Sequence, residues 1–288
     1  MLDRLTGRRH RRDPGRPAPF VAADLSAIAD SAVPRLTWIG HASFLAALGG
    51  RQLLIDPIFS KRIAHIVPRS CPPGLLPGQL PAIDAVLISH CHYDHLDKPS
   101  ILGLPQDVTL VAPLGVGPLL QGWGKSRVIE LDWWQSVELD SVRVTLVPAR
   151  HWSRHWLADT NHALWGGYVI ETDTARVYHA GDSAWFDGFA EIGRRFPGLD
   201  AAMLPIGAYD PAWFMEHHHL NPEQAGEAFL ALGAQQLVPM HWGTFRLTDE
   251  PLREPAERIR AWWDERCPGG KRLRCMAVGE TIRLDDAD

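Results

Sequence analysis

Asp84-Ala-Val-Leu-Ile-Ser-His90-Cys91-His92-Tyr93-Asp94-His95 carries a short apolar run straight into the pattern H-x-H-x-D-H. An apolar run of this length predicts a buried strand, so four potential metal ligands within six residues leave one strand end. If the chain stays extended beyond the strand, His90, His92 and Asp94 share one parity and converge on one side. His95 breaks the parity and reaches in from another direction. Imidazoles with one carboxylate suit zinc. A histidine-rich solvent loop is the competing reading, but it gives no reason for so many candidate ligands to follow one strand. The stretch reads as half of a two-metal site.

The surrounding composition limits what such a site serves. The chain has 288 residues, 45% hydrophobic and 22% charged, with a formal net charge of -5. That length supports one large domain, and no long linker divides it. The acidic balance offers no global attraction for nucleic acid, so a small or lipid substrate is the more natural expectation. Cys71, Cys91, Cys267 and Cys275 lack C-x-x-C spacing and are too few to staple a chain this size, which fits a reducing cytoplasm. Residues 1–34 read as a flexible Arg/Pro-rich extension, and the stretch after Phe20 is interrupted by Asp24 and Asp30, unlike a signal-peptide core. No run approaches the length of a membrane span. The arginines suit a solvated tail, with peripheral contact at the inner face of a membrane as the other option.

From Arg35 onward, short apolar runs recur to the end of the chain. Strands are predicted over Leu36 to Ile39, Phe44 to Leu48, Gln52 to Ile55, Ala85 to Ser89, Val108 to Val111, Arg127 to Glu130, Val142 to Val147, Leu164 to Glu171, Arg176 to His179, Ala201 to Leu204 and Leu237 to Met240. Leu273 to Met276 and Thr281 to Leu284 close the series. Helices are predicted from Gly188 to Phe196, Pro222 to Leu232 and Glu254 to Trp263, with Asn221 capping the second and Asp97 starting another. Further candidate ligands each follow one of these strands: His151, Asp182 and His241. A single histidine in such a place is more often a packed one. Repetition at several strand ends reverses that judgement, because ligands at several strand ends can share one cleft.

The order of H-x-H-x-D-H, His151, the Ala-Gly-Asp182-Ser turn and His241 resembles the metallo-β-lactamase superfamily, over roughly residues 35–288. The resemblance implies an αββα four-layer sandwich of the α/β (α+β) class. It also implies two zinc ions per chain. His90, His92 and His151 would hold one, Asp94, His95 and His241 the other, and Asp182 would bridge them. Iron-binding, oxygen-reducing members usually carry glutamate at the position of His92, so the histidine favours zinc hydrolysis. Trp38-Ile-Gly-His-Ala, Leu54-Ile-Asp-Pro, Leu164-Trp-Gly-Gly, Pro205-Ile-Gly-Ala-Tyr-Asp-Pro-Ala-Trp-Phe-Met and His241-Trp-Gly-Thr-Phe are similar to the branch that hydrolyses N-acyl-phosphatidylethanolamine as a phospholipase D. Asp210 stands where that branch is expected to have glutamate, and Ala212 where it is expected to have arginine. These departures bear on head-group specificity. His219 falls where the branch has a histidine near the scissile group.

Two zinc ions bridged by hydroxide would supply a nucleophile between two Lewis acids. Their charge exceeds that of Asp94, Asp182 and hydroxide by about one, which favours an anionic group such as a phosphodiester. Asp182 would orient the nucleophile, and His219 would protonate the leaving oxygen or steady a phosphoryl oxygen. Asp56 and His41 are candidates to fix the tautomers of ligand imidazoles. Cys91 reads as a packed thiol. Of twelve tryptophans, Trp152, Trp156, Trp185, Trp213 and Trp242 flank site residues. Trp152, Tyr209, Trp213, Phe214 and Met215 are the candidates to line an acyl groove. No role is assigned to His217 or His218. The same metal core also suits a lactone, sugar-phosphate lactone or β-lactam hydrolase, and a non-catalytic metal-binding or membrane-associated scaffold is the alternative outside enzymes. The expected partner is a small-molecule or lipid phosphodiester, with no nucleic acid. The oligomeric state is open, a homodimer being one option.

Overall fold

Strict alternation along the strands sorts this chain into layers. In the computed structural model, which describes residues 12–156 and 159–286, the elements follow in the order α1 (Leu25–Ala29), β1 (Arg35–Gly40), β2 (Ser43–Leu48), β3 (Arg51–Ile55), β4 (Arg62–Ile63), β5 (Val67–Pro68), β6 (Ala85–Leu87), α2 (Lys98–Leu102), β7 (Thr109–Pro113), α3 (Gly117–Gly122), β8 (Val128–Leu131) and β9 (Ser136–Leu139). There follow β10 (Val142–Val147), β11 (Gly167–Glu171), β12 (Arg176–His179), α4 (Gly188–Arg195), β13 (Ala201–Pro205), α5 (Ala212–Met215), α6 (Pro222–Leu232), β14 (Gln236–Met240), α7 (Glu254–Arg266), β15 (Arg272–Leu273) and β16 (Thr281–Arg283). Two seven-stranded sheets result, ordered β16-β1-β2-β3-β6-β7-β8 and β15-β14-β13-β12-β11-β10-β9.

Successive residues of a strand face opposite sides. Leu36, Trp38, Phe44, Ala46, Leu53, Ile55, Ala85, Leu87 and Val111 of the first sheet therefore enter one cluster with Val144, Leu146, Ile170, Val177 and Met203 of the second. Their neighbours Ile39, Leu45, Leu54, Val86, Leu110 and Ala112 face the other way and pack with Ile28 of α1, Ile101 of α2 and Leu120 of α3. On the far side of the second sheet, Phe189, Ile192, Ala225, Phe229, Ile259 and Trp262 of α4, α6 and α7 are buried. Helices outside, two sheets inside: this is the αββα sandwich.

The helix ends follow their local chemistry. Asn221 accepts from the Gln224 N–H at 2.8 Å, Pro222 occupies the first turn, and Gly233 closes α6 with φ 71°. Asp97 accepts from the Ser100 N–H at 3.2 Å and caps α2.

The expectation of a flexible lead-in meets a different arrangement over residues 12–34. Ala18 N–H donates to Gly243 O, Val21 N–H donates to Val278 O, and Ile28 is buried under the first sheet. Asp24 caps α1 by accepting from the N–H groups of Ser26 and Ala27. Apolar residues between the prolines and arginines find a groove, so this segment pays its ordering cost with burial. Residues 1–11 lie outside the described residues. The pattern also did not disclose the β4–β5 hairpin, β9, α3 or α5, all short elements without a full period of alternation.

Candidate metal centre

Five strands of the two sheets end at one edge of the sandwich and hand over the site. β6 ends at Leu87, and His90 follows within three residues. β10 leads to His151, β12 to Asp182, β14 directly to His241, and β3 to Asp56. The segment after β6 does not stay extended. Both His95 N–H and Leu96 N–H donate to His92 O, at 3.0 and 2.8 Å, folding the motif into a tight turn. The parity expectation is therefore corrected: the turn separates Asp94 from His90 and His92 and sends it to the side of His95.

His90 Nε2, His92 Nδ1 and His151 Nε2 form the first group, with His92 Nδ1 2.8 Å from His90 and 3.1 Å from His151. Asp94 Oδ2 lies 3.4 Å from His241 Nε2 and 3.8 Å from His95 Nε2 in the second. Asp182 Oδ2 stands between them, 3.1 Å from His95, 3.3 Å from His241, 3.9 Å from His151 and 4.0 Å from His90. Gly181 makes that position reachable. Its φ is +60°, and a Cβ there would lie 2.8 Å from Ser89 Cβ, so only glycine lets the turn approach the β6 end so closely.

Surrounding groups fix the rings. Asp56 Oδ2 accepts from His95 Nδ1 at 2.8 Å and from Ser89 Oγ at 2.6 Å, and Ser89 Oγ reaches His90 Nδ1 at 3.0 Å. One fully buried carboxylate thereby orients a ring of each group. His41 sets Nε2 3.0 Å from Asp94 Oδ2 and packs its ring 3.9 Å from that of His241. Its backbone is left-handed, φ 57°, and its carbonyl accepts from His241 N–H. His151 Nδ1 donates to His218 O at 2.8 Å, leaving Nε2 to face the cluster. His219 Nδ1 lies 3.9 Å from Asp182 Oδ2.

The charges are tuned by burial and by one another. Burial, reinforced by neighbouring imidazoles, holds His90 well below the usual histidine range and His92 and His151 down to about 3. Burial also lowers His219 to about 3. Burial opposes charge on His241 and His95 too, yet Asp182 and Asp94 prevail, raising His241 to about 9 and His95 well above its ordinary value. The same pairing, against burial, keeps Asp94 and Asp182 well below the carboxylate range.

This donor set fits two divalent cations. His95 Nε2, His241 Nε2 and Asp182 Oδ1, all facing the cluster, are buried with no hydrogen-bond partner. Each such group costs about 1–3 kcal/mol if left unpaired. Nitrogen and carboxylate lone pairs aimed at common centres are what zinc-like ions take up. The structure thus brings together His90, His92, Asp94, His95, His151, Asp182 and His241, with Asp56, His41 and His219 around them.

Above the cluster opens a cavity of about 670 Å³, walled by His92, Asp94 and Asp182 below and by Trp152, Trp213, Phe214 and Met215 at the sides. Trp213 and Phe214 on α5 are 73% and 57% exposed and form a lip. Tyr209 does not belong to this wall. Its ring is buried, and its hydroxyl donates to Glu254 at 2.9 Å. Trp242 stacks on Trp38 at 5.4 Å in the core, Trp185 packs on Phe189, and Cys91 is buried with Sγ 2.8 Å from Ser153 Oγ. Ile63, Arg154, His155, His218, Leu247 and Thr248 also line the cavity. They come from the hairpin and from loops far apart in sequence, and no local pattern marked them. His217 is exposed beside Glu216.

Residues 51–242 match the family model described as the beta-lactamase superfamily domain. The chain is similar to an uncharacterised protein of Mycobacterium tuberculosis, with 39% identity over 89% of this chain and 71% of that one. It is also similar to N-acyl-phosphatidylethanolamine-hydrolyzing phospholipase D 1 of Caenorhabditis elegans, with 34% identity over 80% and 70% of the two chains. Among solved structures it resembles a metallo hydrolase from the archaeon Ignicoccus hospitalis. The TM-score is 0.65 and the identity 26%, over 87% of this chain and 97% of the other.

Proposed function

Since the chain belongs to the beta-lactamase superfamily and is a metal-dependent hydrolase, we propose that it is a dinuclear zinc phosphodiesterase of phospholipase D type, acting on N-acyl-phosphatidylethanolamine-like lipids. The observation that carries this reading is the position of Asp182 Oδ2, within 4.0 Å of four imidazole nitrogens from both halves of the cluster, at the base of an apolar-lipped cavity. His90, His92 and His151 would hold one ion, Asp94, His95 and His241 the second, and Asp182 both. Zinc bound there supplies Lewis acidity and activates water near neutral pH.

The chain's own residues do the remaining work. Asp94 and Asp182 bring two negative charges against the four of two zinc ions, so the base of the cavity stays positive and draws in an anionic ester. His219, neutral and with an unpartnered buried Nδ1, is suited to steadying a phosphoryl oxygen by an N–H bond; burial makes it a poor source of a proton for the leaving oxygen. Asp56 holds His95 directly and His90 through Ser89, pre-setting the tautomers that ligation needs. Trp213, Phe214 and Met215 offer apolar surface to an acyl chain, worth about 25 cal/mol for each Å² removed from water. The similarity to the Caenorhabditis elegans phospholipase D supports the lipid class. Among the described residues no helix is long and apolar enough to cross a membrane.

The test is to assay zinc-loaded protein against N-acyl-phosphatidylethanolamine and a panel of lactones. Release of phosphatidate is expected. Turnover of lactones with no phosphodiester cleavage would sink the proposal.

A further inference from the structure

One cation in the cavity wall is left unused by the chemistry above. Arg154 lies three residues past His151 on the loop leaving β10. Its guanidinium carbon sits 5.0 Å from the centre of the Trp152 ring, and Trp152 sets its own ring 4.5 Å from His92. The charge is therefore one aromatic ring away from the ligand cluster, in the same cavity as Asp182.

Among the described residues no carboxylate forms an ion pair with Arg154. The nearby Asp159 is occupied by the N–H groups of His155 and Trp156, at 3.0 and 2.8 Å. The other arginine of this loop, Arg150, donates to Trp185 O at 3.1 Å and stays out of the cavity wall. Stacking on indole uses the face of a guanidinium and leaves its N–H edge free. It also restrains a long side chain before any ligand arrives, which lowers the entropy lost on binding. An exposed, pre-oriented N–H fork without a protein partner is matched to a planar oxyanion.

We propose that Arg154, stacked on Trp152, is the recognition site for a second anionic group of the substrate, a carboxylate or a phosphate carried beyond the ester that meets the metal-ligand cluster. The proposal rests on the reading of this cavity as the substrate site. It makes a diester that carries a second negative charge a better substrate than N-acyl-phosphatidylethanolamine, whose single charge is on the diester itself, and it places the added charge on the Trp152 side of the cavity. The cavity lining also carries Asp210, whose carboxylate repels such a group and disfavours its placement there.

The experiment compares three phosphodiesters with zinc-loaded protein: bis(4-nitrophenyl) phosphate, and two analogues in which one ring bears a carboxylate or a phosphate instead of the nitro group. A charge-assisted hydrogen bond predicts that one or both doubly charged analogues have kcat/KM at least about tenfold higher, carried by KM. The larger ratio tells which oxyanion the site takes. Arg154→Ala should bring the ratios near one, and Arg154→Lys should keep an intermediate value because charge remains without the fork. No preference in the natural protein, or a preference undiminished by Arg154→Ala, would overturn the proposal. If no diester is cleaved, the same compounds are titrated calorimetrically. Tighter binding of a doubly charged analogue that is lost in Arg154→Ala upholds the subsite while the diesterase reading fails, and equal affinities overturn the subsite as well.

Discussion

Asp182 contributes through its position, not through reactivity, and its substitution is the most informative at the residue scale. Asp182→Asn keeps the shape but removes the charge that faces His90, His95, His151 and His241. Metal content should fall and kcat/KM should drop by more than about 100-fold, the range expected even for groups one step removed from a metal. Circular dichroism should show the fold retained; an unchanged rate would refute the bridging role. Protons supply a second check. His241 is raised to about 9 and His95 is also raised, so both imidazoles are protonated at neutral pH in metal-free protein. A metal takes the lone pair, so loading that half must expel protons. The half formed by His90, His92 and His151 is already neutral. Affinity of the Asp94–His95–His241 half should therefore rise with pH up to about 9, while the other half changes little. Calorimetry in buffers of different ionisation enthalpy should record proton release in one binding step only. Release in neither step would contradict this assignment.

At the scale of elements, the edge where β3, β6, β10, β12 and β14 end does the positioning. The strands were legible because alternation and apolar runs are local signals, and His151, Asp182 and His241 each followed one. The turn at His92–Leu96 was not legible, since the bonds from His95 N–H and Leu96 N–H to His92 O are announced only by Asp94, a single turn-forming residue without Gly, Pro or Asn beside it. Tyr209 was misplaced for a related reason. The resemblance located its segment at the site, but the ring is held away from the cavity by the hydrogen bond of its hydroxyl to Glu254, a partner remote in sequence. Arg154, Ile63 and Leu247 escaped notice because a wall built from distant loops leaves no periodic trace. The α5 lip gives the prediction at this scale. Trp213→Ser with Phe214→Ser should raise KM for long-chain N-acyl lipids about tenfold or more and leave a water-soluble diester much less affected, since only the former buries apolar surface there. Equal effects on both substrates would show that the lip does not hold an acyl chain.

For the whole molecule, two inward sheet faces and two outer helical layers make a rigid support from which the ligands project, and residues 12–34 close part of that support. Ile28 is 2% exposed beneath the first sheet. Ile28→Ala should cost about 2–5 kcal/mol, measured by denaturant unfolding of the zinc-loaded protein; a loss near zero would show that the segment is not docked. Zinc binding only the folded state should raise the melting temperature. The most direct measurement follows the atom that water contributes. Zinc-loaded protein is incubated with N-acyl-phosphatidylethanolamine in water labelled with heavy oxygen, and the products are weighed by mass spectrometry. Attack at phosphorus puts the label in phosphatidate and none in the N-acylethanolamine released with it. Absence of phosphatidate, or label in the N-acylethanolamine or in a free fatty acid, would contradict a dinuclear phosphodiesterase of phospholipase D type.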